Sequence, residues 1–342
     1  MYWCRHSRLV PCRSRLQTMG RYLARRIVEA IPLLIAISMA VFAMMQLTPG
    51  GPLARFENDP TVTEADLQAL RHRLGLDQPL PVRYLKWLSN ALHGDLGQSY
   101  ITHQPVLTLI SERLPNTLRL TITSLLLTLV LTIPIGVLAA VKQYSLFDHI
   151  LTLLTFAGQS IPIFWFGLLL ILVFYVWLDN PLTGRPLFPA GGVYSVGKEG
   201  DFLDGLWHMV LPVTMLSLAW VSWHTRFLRA SMLDVMRQDY LRTARAKGLR
   251  ERIVVLRHGL RNALIPLTTI VALDVPFLFA GAIYTETIFS WPGMGRLFYQ
   301  SAMRRDYPVL MAVVMITAVL VVLSNLLADL VYALLDPRIR YD

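Results

Sequence analysis

Tyr240-Leu-Arg-Thr-Ala-Arg-Ala-Lys-Gly-Leu249 sits inside a 34-residue segment, Arg229 to Asn262, that carries nine Lys/Arg against three Asp/Glu and has long apolar stretches on both sides. The simplest reading of such a segment is a solvated basic loop, held on the cytoplasmic side of a membrane by its charge. This one has more internal order. At helical spacing Tyr240, Leu241, Ala244 and Gly248 share a face, while Arg242 and Arg245 point elsewhere. Ala244 and Gly248 are small enough for another backbone to approach, and Gly248 can also end a short helix. The pattern predicts a short helix outside the membrane that offers a docking face and passes motion from a soluble partner to the spans around it.

Working outward, the composition supports a membrane setting. The chain is 54% hydrophobic and 16% charged, and its net charge of +10 is concentrated at the N-terminus and in the central segment. A nucleic-acid module would show a soluble fold around its basic patch, and none is visible, so no nucleic-acid partner is expected. Residues 1–26 hold seven arginines and no acidic residue. Ile27–Leu47 is then long enough for an uncleaved first span, with no small-residue cleavage signal after it. Residues 1–18 show no apolar periodicity, so Met19 reads as the natural beginning. Further spans are expected at about 118–141, 150–178, 206–228, 263–283 and 309–330. With six crossings both strongly basic regions lie inside, whereas five would leave one outside. The resulting division is a basic N-terminal segment 1–26, a first span with a large outer loop 27–116, a core 117–335 containing the basic segment 229–262, and a cytoplasmic tail 336–342.

Several local features are legible. Thr63 reads as an N-cap with Asp66 three residues on and Gly75 as the stop, and 81–90 as a second short helix. Pro134, Gly136 and Pro162 are expected to bend the second and third spans. At the latter, Ser160 either lines a translocation path or satisfies a carbonyl freed by the kink, the second reading carrying more weight. Asp274, followed by Pro276, falls near mid-depth of the fifth span, where a carboxylate must face protein or water. A path-facing role, an interspan hydrogen bond and displacement toward an interface remain open. His224 reads as an interfacial structural residue near the inner end of the fourth span. Gly192-Val-Tyr-Ser-Val-Gly-Lys198 has the spacing of a phosphate loop, but Glu199 stands where Ser or Thr would meet magnesium and no strand precedes it. It is rejected as a nucleotide site. Cys4 and Cys12 are the only cysteines, too few with His6 for a disulfide framework or a metal site. No nucleophile–base order or metalloprotease motif is present, so no catalytic, cofactor or metal residues are expected.

Against this reading stands a resemblance that spans about Met19 to Tyr341. Tyr240-x-Arg-Thr-Ala-Arg-Ala-Lys-Gly-Leu249 resembles the coupling loop of ABC-importer permeases of the dipeptide/oligopeptide/nickel family, with Arg242-Thr243-Ala244 at the Glu-Ala-Ala positions and Gly248 at the glycine. His93-Gly-Asp-Leu-Gly-Gln-Ser99, Ser160-Ile-Pro-Ile-Phe-Trp165, Thr285-Glu-Thr-Ile-Phe-Ser-Trp-Pro-Gly-Met-Gly295 and Asp336-Pro-Arg-Ile-Arg340 are similar to further family segments, in the family's order. The resemblance implies an all-α fold of six transmembrane helices, that of a type I ABC-importer permease, in a bacterial inner membrane with both termini cytoplasmic. It implies a non-catalytic subunit that forms half of a path for dipeptides or short oligopeptides. Tyr240, Arg242, Thr243, Ala244, Lys247 and Gly248 would couple to an ATPase, and Glu286, Pro292, Gly293 and Gly295 would form an outer-loop motif. ATP and magnesium would sit in two partner ATPases. A second permease, an extracytoplasmic solute-binding protein and the lipid membrane complete the implied partners. Alternatives are a path for nickel chelates or another small solute, an ATP-independent carrier or channel, and a membrane scaffold.

Overall fold

The computed structural model describes residues 12–47, 53, 62–73, 75–181, 184–280 and 282–335. Residues 336–342, expected to form a cytoplasmic tail, and the cysteine at position 4 lie outside the described residues. Regular structure among them is helical, with two isolated β-bridges, Gln98 to Pro105 and Asp179 to Pro186. Five helices are long and apolar enough to cross a membrane, and a sixth crossing arises if one bent pair counts as a single span. The chain divides into two compact units, one of residues 1–109 with 301–342 and one of residues 110–300.

In the first unit, α1 (Cys12–Leu47) runs through Met19 without a break and packs on α12 (Tyr307–Leu335). Large apolar side chains along α1, among them Ile31, Met39 and Met44, stay exposed. In lipid that exposure costs nothing, since the surroundings are as apolar as the side chains. The outer region forms α2 (Glu64–Arg73) and α3 (Leu80–Leu92), as expected. Thr63 and Asp66 cap α2 reciprocally: the Asp66 amide donates to Thr63 Oγ1 at 3.3 Å and the Thr63 amide to Asp66 Oδ2 at 3.0 Å. The Thr63 hydroxyl, which donates to Asp66 Oδ2 at 2.6 Å, and then the Thr63 amide hold the Asp66 carboxyl below its usual range. α3 leans on α1 through Tyr84, whose hydroxyl is 2.7 Å from Ser38 Oγ and whose ring meets Phe42 edge-on. Beyond α3 the chain turns at Gly94 and Gly97, both at positive φ, and Ser99 Oγ and the Tyr100 amide donate to the buried Asp306.

In the second unit, α4 (Val106–Val141, entering from the first) is longer than the 118–141 expected, because polar Ser111, Glu112 and Arg113 extend the helix outside the apolar stretch. The third span is not a gently bent helix. α5 (Leu146–Ser160) and α6 (Ile163–Ile171, continued by a π-helical Leu172–Trp177) meet at 101° across Ile161-Pro162. Proline both lacks a donor and disfavours the helical conformation of the residue before it, so two non-helical residues fall together. α5 and α6 pack on α7 (Phe202–Met236). Their glycines set how closely: a Cβ at Gly158 would lie 2.6 Å from Ser222 Oγ and one at Gly167 2.5 Å from Met215 Sδ. Val137, Leu228, Met232, Val255 and Leu267 form a buried cluster joining α4 and α7 to α9 (Glu251–Phe279). Residues 192–200 form turns, and Lys198 opens no helix; Asp201 caps α7 instead.

Candidate functional site

The basic segment is nearly all helix. α7 continues to Met236, α8 spans Asp239–Ala246, and α9 already begins at Glu251. Charged residues leave the hydrocarbon without leaving the helix, so the composition change marks the membrane's edge and not the helix end. α8 has two faces. Leu241 is fully buried and Ala244 nearly so, packed with Val254 and Val235. This corrects the expected docking face: Ala244 is spent on the protein's own core, since Leu241 draws that face inward. Tyr240, Arg242, Thr243 and Lys247 are exposed. Tyr240 Oη accepts from Asn262 Nδ2 at 2.9 Å, and Arg242 reaches Asp239 only at 3.5 Å. Gly248 has φ +77°, and its amide donates to Arg245 O at 2.9 Å, which ends the helix as predicted. A Cβ there would meet nothing. Arg245 bridges to Glu251 at 2.9 Å across that turn, and the bond raises the guanidinium further above its ordinary range.

The Glu286 segment is built the opposite way. α10 (Ile283–Ile288) and α11 (Met294–Arg304) are joined by a turn in which Phe289 and Trp291 are fully buried. Glu286, also fully buried, accepts from Thr117 Oγ1 at 2.8 Å, from the Ala282 amide at 3.3 Å and from the Arg296 amide at 2.9 Å. Thr117 Oγ1 in turn accepts from the Met294 amide at 2.7 Å. The carboxylate therefore closes the first turn of α11, where free amides and the helix dipole favour a negative charge. Asn116 Nδ2 donates to Pro292 O at 3.1 Å, and Trp291 Nε1 donates to Asn116 O at 2.9 Å. A Cβ at Gly293 would enter the Glu286 carboxyl group, and one at Gly295 would lie 2.8 Å from the Ile283 amide nitrogen.

Deeper in the helices, Asp274 meets His224: Nε2 lies 2.7 Å from Oδ2, and Nδ1 lies 2.7 Å from Trp220 O. His224 is buried, and the pair realises the interspan hydrogen bond among the three readings of Asp274. Ser160 donates to Phe156 O at 2.9 Å at the end of α5 and is exposed. Arg229 makes a bidentate pair with the buried Asp148 at 2.6 and 2.7 Å, tying α7 to the start of α5. Among the described residues no group of His, Cys, Asp and Glu is arranged to hold a metal ion.

Residues 132–341 match the family described as binding-protein-dependent transport system inner membrane component, and residues 19–121 match its N-terminal region. This chain belongs to that family. The permease is 46% identical to the oligopeptide transport system permease protein AppB of Bacillus subtilis, over 94% of this chain and all of the relative. It is 40% identical to the dipeptide transport system permease protein DppB of Escherichia coli and to the di/tripeptide transport system permease protein DppB of Pseudomonas aeruginosa. Those alignments cover 94% of this chain and 99% and 98% of the relatives.

In this permease the six residues expected to couple to an ATPase lie on one short helix and its terminal turn, and the four expected outer-motif residues in one knot. Ser160 and Asp274 belong to neither. Thr117, Asn116, His224, Asp148 and Arg229 escaped sequence reasoning as partners. No local pattern ties Thr117 to Glu286 across 169 positions. A carboxylate in an apolar run, by contrast, signals that a partner exists without naming it.

Proposed function

We propose that this chain forms half of the translocation path of an ATP-driven importer for dipeptides or short oligopeptides. It works beside a second, similar permease, two cytoplasmic ATPase subunits that hold ATP and magnesium, and an extracytoplasmic solute-binding protein. The observation that carries the reading is the two-faced construction of α8, in a chain that aligns along nearly its whole length with permeases named for peptide transport. One face of α8 is locked to α7 and α9 through Leu241, Ala244, Val235 and Val254, so displacement of the helix is handed to two spans. The other face presents Tyr240, Arg242, Thr243 and Lys247 to an ATPase. The positive-inside bias puts α8 and both termini in the cytoplasm and the Glu286 knot on the outer side. The chain does no chemistry of its own in this reading.

The test is uptake by the complete complex in liposomes, loaded with its binding protein and energised with ATP. Labelled di- and tripeptides should accumulate only with ATP, and a nickel chelate should not. Uptake of the chelate but not of peptides would replace the substrate assignment. A single cysteine at position 245 on a cysteine-free background should resist an impermeant reagent applied outside intact cells; strong labelling would invert the topology.

A further inference from the structure

Within the unit of residues 1–109 and 301–342 there is an open-sided cavity of about 770 Å³, lined by the ends of α1 and α12, by α3 and by the turn that follows α3. Its polar groups are unevenly satisfied. Asp95 Oδ1 accepts from the Gly97 amide at 2.9 Å, and His72 is paired with Asp77 at 2.8 Å. Asp306, behind the wall, is engaged by Ser99 and Tyr100. The acids are thus occupied, whereas among the described residues the guanidinium of Arg83 is not. Arg83 is half-buried on α3, and among the described residues nothing bonds or bridges to its guanidinium; burial pulls it below its ordinary range, with Tyr100 acting in the other direction. Lys86 stands one turn further along the same wall. Tyr307 also lines the cavity. It is 8% exposed, and among the described residues its buried hydroxyl has no hydrogen-bond partner. A buried donor without a partner is costly and rare in folded proteins.

The walls say what else the occupant must be. Phe42 and Met45 come from the last turns of one apolar span and Met311 from the first turns of another. Around them Met44, Leu47, Leu85 and Leu92 remain exposed. Apolar surface beside a cationic recess at the end of two spans matches a lipid whose headgroup bears a phosphate and whose tails lie along the helices. We propose that this cavity is a binding site for an anionic phospholipid, with the phosphate held by Arg83 and the Tyr307 hydroxyl. Arg83 and Lys86 against the single lining carboxylate of Asp95 leave a net positive recess, which favours a headgroup of net negative charge over a zwitterionic one.

The complete complex, purified in detergent and stripped of lipid, is titrated with dioleoyl phosphatidylglycerol, dioleoyl phosphatidylcholine or inorganic phosphate, and bound lipid is counted by native mass spectrometry. The wild type should retain one tightly bound phosphatidylglycerol, more tightly than phosphatidylcholine, and excess inorganic phosphate should not displace it. Arg83→Gln should weaken that binding by about tenfold or more, and Tyr307→Phe by a smaller factor, with the complex intact by mass. Equal retention by the wild type and either assembled variant overturns the assignment, as does equal retention of the two lipids. Displacement by inorganic phosphate assigns the site to the free anion and removes the lipid. Should Arg83→Gln fail to assemble, Tyr307→Phe, which loses one hydroxyl, decides alone.

Discussion

The Glu286 knot and helix α8 both carry family-like sequence runs, yet their side chains are used in opposite ways. In the knot the carboxylate and the groups around it are consumed internally: Glu286, Thr117, Asn116 and the amides of Met294 and Arg296 satisfy one another out of water, and Thr287 Oγ1 is the buried polar atom left over among the described residues of the motif. In α8 only Leu241 and Ala244 face inward, while Arg242 has a side chain 74% exposed. A polar group whose capacity is spent on its neighbours stabilises a fold and has nothing left for a partner. One that stands in water at the end of an anchored helix has that capacity free. The motif at 285–295 is therefore read here as architecture, and the motif at 240–249 as contact surface.

Substitutions that ignore this difference should separate the two regions. Glu286→Ala leaves Thr117 and the Arg296 amide without their acceptor in a buried site, a loss of more than about 3 kcal/mol. Gly293→Val, which drives a side chain into the carboxyl group, should be at least as damaging. Both should be seen as loss of folded permease in detergent-extracted membranes; wild-type melting of either would erase the architectural reading. Next comes Asp148→Asn, which leaves Arg229 facing a neutral amide. Because Arg229 is 25% exposed, the expected cost is about 2–3 kcal/mol, below the full penalty of a buried broken pair, and is read as a lowered melting temperature with the spans still inserted.

Gly248→Leu should cost only about 1–2 kcal/mol, since φ +77° strains a branched side chain but no neighbour lies in its way. Its signature should instead be functional, as weaker ATPase co-purification or fewer peptides moved per ATP. Wild-type values for both would reduce Gly248 to a helix stop. Smallest of all is Arg242→Ala, expected to change stability by under about 0.5 kcal/mol because the pair with Asp239 is long and solvated. A large stability loss there would show that α8's outer face is not free.

Sequence reading reached the membrane class, the Thr63–Asp66 cap, the helix stop at Gly248 and the presence of a short helix around Ala244. All of these rest on local pattern: hydropathy over a span's length, a three-residue capping interval, a glycine after a helical run. It failed where the deciding partner is distant. A small residue such as Ala244 on a helix suits any close neighbour, and in the structure that neighbour is the chain itself at Val235 and Val254. The sequence around Asp274 is compatible with three environments, and only the fold brings His224, 50 positions away, within hydrogen-bond reach. Helix ends were misplaced at 106, 236 and 251 for another reason. Hydropathy reports where lipid stops, whereas backbone hydrogen bonding continues through charged residues as readily as through apolar ones.

The order of residues alone determined that this protein places its apolar runs in lipid, because transfer of apolar surface between water and hydrocarbon depends on composition and hardly on packing. Which carboxylate caps α11, which face of α8 turns inward and how sharply the chain breaks at Pro162 were decided only in three dimensions. Hydrogen bonds and close contacts fall off within a few ångströms, so their energies exist only once helices far apart in the chain have been brought together.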